Sequence, residues 1–175
     1  MGAGTLNRPM RHIISILMQN EAGALVRVAG MFSQRGFNIE SLNVAPTEDE
    51  TVSRLTLVTT GTEDVVNQIN RQLLKLVDVI DVLDMTDGEH IERELMFFKL
   101  EARPDDPRQR SLLAEDHIEE IDRRDGIVSL QFFGTSVEVA DLVARLAGSG
   151  ELLEVMRSGA LAITPGDRCL RYQAD

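Results

Sequence analysis

Between residues 10 and 85 the hydrophobic period switches back and forth between that of a strand and that of a helix, and this succession leaves few folds open. Met10 to Met18 holds His12, Ile13, Ile14, Ile16, Leu17 and Met18, a nearly continuous apolar run that suits a strand buried in the middle of a sheet. From Ala22 to Arg35 the apolar positions Leu25, Val28, Ala29 and Phe32 recur at three and four, and Gly36 follows as a C′ residue in the left-handed region. Asn38 to Ala45 and Thr51 to Thr60 alternate apolar and polar residues around an acidic turn at Pro46 to Glu50, the pattern of a hairpin. Glu63 to Lys75 puts Val65, Val66, Ile69, Leu73 and Leu76 on one helical face, with Thr62 as N-cap. Val77 to Met85 alternates again, and Asp78, Asp81 and Asp84 mark an exposed edge or face. The order is βαββαβ. Two helices on one face of a four-stranded antiparallel sheet make a ferredoxin-like sandwich.

The second half approximates the same order. Asp87-Gly88 breaks the pattern, and the charged segment 87–94 reads as a linker before a strand at Leu95 to Leu100. Pro104-Asp-Asp-Pro107 is a breaker, and Arg108 to His117 reads as a short helix. Ile118 to Arg123 suits a helix by its two isoleucines, whereas Asp125-Gly126 asks for a strand before it; the strand is preferred. Ile127 to Phe133 is the next strand, Val137 to Leu146 a second helix, and Leu152 to Ile163 one or two strands around Ser158-Gly159. The expected fold class is thus α+β, two ferredoxin-like βαββαβ sandwiches. Residues 1–9 are expected as a disordered extension, 10–86 as the first domain and 95–175 as the second.

With 43% hydrophobic residues in 175, the chain has enough apolar material for real cores. A net charge of -11, from 29 acidic against 18 basic residues, opposes a nucleic-acid partner, because phosphate affinity comes from Lys and Arg displacing counterions. Aromatics at 4% also argue against an RNA-binding sheet, which stacks bases on exposed rings. No apolar run approaches the ~20 residues that span a bilayer, and residues 1–9 lack the apolar stretch of a signal peptide. Met1-Gly2 opens like a myristoylation signal, but Leu6 stands where that motif takes Ser or Thr. The single cysteine, Cys169, makes no internal disulfide and fits a reducing compartment, the cytoplasm.

The residues that carry chemistry are few. Asn20-Glu-Ala-Gly-Ala-Leu25 joins the first strand to the first helix, and the unpaired N–H groups of a helix start attract a carboxylate. A free amino acid carries that carboxylate. Asn20 offers both donor and acceptor to such a ligand, and serves equally as an N-cap or turn residue. Gly23 lets the backbone approach a ligand closely, and is equally a turn glycine. Asn38 reads as a strand-entry residue, with a reach toward a ligand in a neighbouring subunit as the other reading; Ile39, Leu42 and Val44 read as core, with an aliphatic pocket lined by one of them as the other reading. His12, His90 and His117 are scattered, and His90-Ile-Glu92 falls short of the four ligands of a structural metal site. Arg168 and Arg171 flank Cys169, but no base accompanies it. No Walker loop and no nucleophile with a local signature is present, so no metal site and no catalytic residue is expected.

At Ile13-Ile-Ser-Ile-Leu17, Asn20-Glu-Ala-Gly-Ala-Leu-Val-Arg-Val28, Phe32-Ser-Gln-Arg-Gly-Phe-Asn-Ile-Glu-Ser-Leu42, Val44-Ala-Pro-Thr47, Ser53-Arg-Leu-Thr56, Gln72-Leu-Leu-Lys-Leu-Val-Asp-Val79 and Glu92-Arg-Glu-Leu-Met96, the chain resembles the small, regulatory subunits of acetohydroxyacid (acetolactate) synthase. The second half resembles them more loosely, chiefly at Gly134-Thr-Ser136 and Glu154-Val-Met-Arg-Ser-Gly159. The resemblance implies that the first domain is an ACT domain, and that the chain is a non-catalytic homodimer. Such a subunit binds the large catalytic subunit, raises its activity and confers feedback inhibition by valine in branched-chain amino-acid biosynthesis. It implies no cofactor in this chain, with thiamine diphosphate, Mg and FAD belonging to the catalytic subunit. Valine would lie at the ACT dimer interface, with Asn20, Gly23, Ala24 and Leu25 holding its charged ends and Asn38 and Ile39 contributed by the partner. Val26 departs from the small polar residue the family often has there. The rival readings are a free-standing amino-acid sensor acting on another partner, which shares the site but not the docking, and an enzyme, which the missing base and nucleophile disfavour.

Overall fold

A computed structural model describes residues 9–149 and 151–172. They form two compact units, one running up to Ile91 and resuming at Ala162, the other spanning Glu92–Leu161. The extension expected over 1–9 lies, apart from Pro9, outside the described residues, and Met10 already opens the first strand.

The first unit has the order β1 (Met10–Gln19), α1 (Ala24–Gln34), β2 (Ile39–Pro46), β3 (Val52–Gly61), α2 (Glu63–Leu73) and β4 (Val79–Asp84). Its sheet runs β2-β3-β1-β4, every pair antiparallel. β1 is central, and Ile13 to Met18 are all buried, as a continuous apolar run requires. Ile14, Ile16 and Met18 meet Val28 and Phe32 of α1, Leu55 and Leu57 of β3, and Val66, Ile69 and Leu73 of α2 in one core. Phe32 also packs edge-on against Phe37, ring centroids 6.5 Å apart. Beyond α1, Gly36 takes φ 70° and its amide bonds to the Ser33 carbonyl, which ends the helix. Thr62 occupies the N-cap position of α2, but its side chain makes no capping bond.

The second unit has β5 (Ile91–Glu101), α3 (Pro107–Leu113), β6 (Ile118–Arg124), β7 (Ile127–Gly134), α4 (Ser136–Ser149) and β8 (Leu152–Arg157), with the sheet order β6-β7-β5-β8. This is the same permutation of second, third, first and fourth strand. Met96, Phe98 and Leu100 face Val128, Leu130 and Phe132 and the Val139, Leu142 and Leu146 face of α4. Asp125 and Gly126, at φ 55° and 75°, make the tight turn of the β6–β7 hairpin, which settles Ile118 to Arg124 as strand.

Several boundaries differ from the sequence reading. The linker expected over 87–94 loses its last four residues to β5, because its charges are accommodated within a strand: Glu94 is buried and takes two hydrogen bonds from Arg157, 2.6 and 3.0 Å. Pro107 does not only break the chain but starts α3, with Asp106 as N-cap accepting from the Arg108 amide at 2.8 Å. That helix stops at Leu113, short of His117, whose φ of 68° belongs to a turn. Leu161–Ile163 is a last short strand, and from Ala162 the chain is grouped with the first unit, where the Ala162 carbonyl accepts from Arg54 at 3.1 Å. Among the described residues no helix is long and apolar enough to cross a membrane.

Candidate functional site

β1 delivers the chain to Asn20 beside the turn between β2 and β3. The Asn20 amide donates to the Thr51 carbonyl at 2.7 Å, and its side-chain Nδ2 donates to the Glu50 carbonyl at 2.8 Å. Asn20 is therefore not the N-cap of α1. It ties the end of β1 to the neighbouring turn and keeps Oδ1 without a partner among the described residues. The cap position falls to Gly23, with φ 91° and no side-chain capping bond. A left-handed cap of this kind is the reason for glycine there. The Ala24 amide donates to the Glu21 carbonyl at 3.2 Å, and the helix has no acidic residue in its first turn, so its next amides, those of Leu25 and Val26, face solvent or an anion. Ala24 is buried and Leu25 packs on the first core, which fixes where those amides stand. At Asn20 lies an open depression of about 490 Å³, lined among others by Asn20, Glu21, Glu50, Thr51, Ile80 and Tyr172; Gly23, Ala24 and Leu25 are not in its wall.

Two residues that brace this loop were not singled out in the sequence. Asp78, expected on an exposed face, is buried at 3% exposure. Its carboxylate accepts from Arg27 of α1 through both Nε and Nη2, the latter at 2.8 Å, and its carbonyl accepts from the Gln19 amide at 2.8 Å. The Arg27 guanidinium holds the Asp78 carboxyl below the usual carboxylate range, against the opposing effect of burial. The pair locks the first turns of α1 to both the end of β1 and the entry to β4. A Cβ placed on Gly23 would stand 2.9 Å from Arg27 Nη1, so the guanidinium lies directly against the turn. Alternation hid Asp78 because it precedes β4 rather than belonging to it; its neighbour Val77 is 83% exposed.

Asn38 and Ile39 are not brought to this loop within one chain. Ile39 pairs with Thr59, and Thr59 with His12, seven positions along β1 from Gln19. At ~3.3 Å per residue that is about 23 Å away. Asn38 is exposed and its carbonyl accepts from Thr59 Oγ1 at 2.6 Å, while Ile39 packs against the core of its own unit.

The histidines do not converge. His12 is buried with its ring nitrogens on Thr86 Oγ1 (3.1 Å) and the Gly61 carbonyl (3.0 Å), whereas His90 Nδ1 faces the Gly88 carbonyl at 3.1 Å. Among the described residues no three His, Cys, Asp or Glu side chains gather as a metal site would need. Cys169 is exposed.

A ferredoxin-like sheet with a glycine-started helix at the end of its first strand is the architecture of an ACT domain, and the family model described as the AHAS small subunit-like ACT domain matches residues 14–81. The likeness extends over most of the chain. The acetolactate synthase isozyme 3 small subunit of Escherichia coli (strain K12) is 43% identical over 165 residues, covering 93% of this chain and 100% of that protein. The acetolactate synthase small subunit of Haemophilus influenzae is 42% identical, covering 91% and 98%. Among solved structures, the acetolactate synthase small subunit from Thermotoga maritima superposes with a TM-score of 0.81 at 27% identity, over 90% of this chain and 99% of that one. The chain belongs to the family of acetolactate synthase small subunits.

Proposed function

We propose that this chain is the regulatory, non-catalytic subunit of an acetolactate synthase. It binds and activates a thiamine-diphosphate-dependent catalytic subunit and makes it sensitive to valine, an end product of cytoplasmic branched-chain amino-acid biosynthesis. The observation that carries the reading is the 43% identity to a named small subunit over that protein's entire length. The chain takes no cofactor of its own; thiamine diphosphate, Mg and FAD belong to the catalytic partner. Valine sits between two copies of the chain. Asn20 and the Gly23, Ala24 and Leu25 backbone of one copy take its charged ends, and Asn38 and Ile39 of the other copy close the site. The roughly 23 Å that separates the two sets within a single chain supports a site shared between copies.

The physical terms suit a weak, releasable effector. A carboxylate at a helix start gains ~0.3–1 kcal/mol, and each hydrogen bond to a charged group ~1.5–3 kcal/mol. The isopropyl group adds ~0.8 kcal/mol per buried carbon. Valine, leucine and isoleucine differ by a methylene or its placement, worth ~1–3 kcal/mol, so discrimination is modest. By binding one arrangement of the paired domains more tightly than another, valine shifts a population that the catalytic subunit reads.

The test is acetolactate formation from pyruvate by the cognate catalytic subunit, with and without this chain, across a valine titration. Activation that valine reverses is expected, as is loss of that reversal in Gly23→Asp. Activation without valine sensitivity refutes the effector, and no activation at all refutes the partner and moves a free-standing sensor to first place.

A further inference from the structure

In the second unit α3 and α4 hold the places that α1 and α2 hold in the first. They run antiparallel. Glu115, just past α3, takes both arms of Arg145 of α4 at 2.9 and 2.8 Å, and Arg103, ahead of α3, reaches Glu151, just past α4, at 2.9 Å. Along the seam lies a groove of about 430 Å³, lined among others by Arg108, Ser111, Leu112, Leu146, Gly148 and Glu151. One end of it falls where the first helix of the unit starts and the second helix ends, the junction that in the first unit carries the Asn20 to Leu25 loop.

The walls of the groove differ in charge. Arg108 spends its amide on Asp106 at 2.8 Å, and its guanidinium has no hydrogen-bond or ion-pair partner among the described residues. Glu151 is of opposite sign at the same end, and its side chain is only 12% exposed. A carboxylate offers about four acceptor sites, more than the single Arg103 arm occupies. The end of α4 adds the negative pole of a helix beside it. Further along, Leu112 and the buried Leu146 form an apolar wall before the Arg145–Glu115 pair closes the far end.

We infer that this groove binds a small aliphatic α-amino acid. Its carboxylate takes Arg108, its ammonium takes Glu151 and the carbonyl end of α4, and its side chain lies on Leu112 and Leu146. A bare anion would face Glu151 and Glu115 as well as Arg108, and a bare amine would face Arg108, so a ligand carrying both charges on adjacent atoms is the one that suits every wall. The site shares no residue with the valine site proposed on the first unit and does not rest on it.

Methyl NMR of the full chain, with the Leu112 and Leu146 resonances assigned, reads the groove directly during titration with L-leucine. Saturable shifts of both residues are expected. Isocaproate, which lacks the ammonium, and isoamylamine, which lacks the carboxylate, should each bind at least about tenfold more weakly, because each forgoes a charge-assisted pair. Arg108→Gln should weaken L-leucine by at least about the same factor with an unchanged thermal melt. A Cβ added at Gly148 meets nothing within 4 Å, so Gly148→Leu can fold while filling the groove, and it should abolish the shifts that Gly148→Ala keeps. Leu112 and Leu146 methyls that do not move, isocaproate binding as tightly as L-leucine, or full binding in Arg108→Gln overturns the inference. Shifts that vanish in Gly23→Asp overturn it too, since the perturbation then comes from the first unit.

Discussion

Gly23 and Gly36 stand at the two ends of α1 with the same backbone demand and different surroundings, which makes them a controlled pair. Their φ angles are 91° and 70°. An L-residue forced into the left-handed region loses about 1–2 kcal/mol, a factor of roughly 5–30 in the folding equilibrium of the first unit. A Cβ on Gly36 meets nothing within 4 Å, so Gly36→Ala should cost that backbone strain alone. On Gly23 the methyl lands 2.9 Å from Arg27 Nη1, a group whose Nε and Nη2 are both engaged by Asp78. The guanidinium yields only by loosening that pair. Gly23→Ala is therefore expected to cost more than Gly36→Ala, and the excess should vanish in the Gly23→Ala/Arg27→Ala double variant. Urea unfolding of the single and double variants measures the energies, and calorimetry tests the proposed valine binding on the same samples. Equal costs at the two glycines, or an excess that survives Arg27→Ala, refutes the geometric argument. Equal loss of valine binding in Gly36→Ala refutes the placement of the site, since Gly36 is at the far end of the helix.

Other consequences follow from burial, capping and charge. Phe32, fully buried between helix and sheet, should cost ~3–5 kcal/mol as Phe32→Ala, enough to unfold the first unit at moderate temperature; a melt within 2–3 °C of wild type would contradict the packing. Thr135 precedes α4 and its Oγ1 accepts from the Glu138 amide at 3.3 Å, while Glu138 Oε2 accepts from the Thr135 amide at 2.7 Å. Thr135→Ala should cost ~0.5–2 kcal/mol in urea unfolding, and Thr135→Ser close to nothing. Asp78, Glu115, Glu120 and Asp122 are held below their ordinary range by Arg27, Arg145, Arg123 and Arg124, and Glu138 by its bonds from Thr135. Carboxyls depressed on folding contribute stability that is present above their unfolded values, about 3.9–4.3, and is lost as pH falls through the folded ones. Melting temperature should hold between pH 7 and 5 and drop below about pH 4; a flat profile down to pH 3 contradicts these pairs.

The strand and helix order was legible because each element has a clear hydrophobic period and because Gly36 and Asp125-Gly126 announce their turns. What the sequence hides are partnerships across long separations. Asp78 looks like a solvated carboxylate until Arg27, 51 positions away, is folded against it. Glu94 looks like linker until Arg157 is placed across the sheet. The segment after Ala162 returns to a unit whose strands were completed some 80 residues earlier, and no local pattern encodes that. The Thr135 and Glu138 capping box, by contrast, was readable from its spacing alone. Alternation identified Phe97 and Phe133 as strand residues, but which face of a strand is left uncovered depends on what the rest of the chain supplies.

If the candidate site is completed only when Asn38 and Ile39 of a second copy meet the Asn20 loop, effector binding and pairing are linked equilibria. Valine then stabilises the paired state by RT ln(1 + [valine]/Kd) per site, about 2.7 kcal/mol at a hundred times Kd. Reciprocity demands that pairing tighten valine binding by the same factor. Dilution below the pairing constant should therefore raise the apparent Kd for valine, since affinity falls with the fraction of competent sites. Saturating valine should in turn shift the sedimentation midpoint to lower protein concentration. A site confined to one chain, built from Asn20, Gly23 and the depression at Asn20, predicts neither effect. Valine titrations at several chain concentrations spanning the mass transition decide between the two. A Kd that stays constant while the mass changes removes Asn38 and Ile39 from the site, and a Kd that rises on dilution keeps them there.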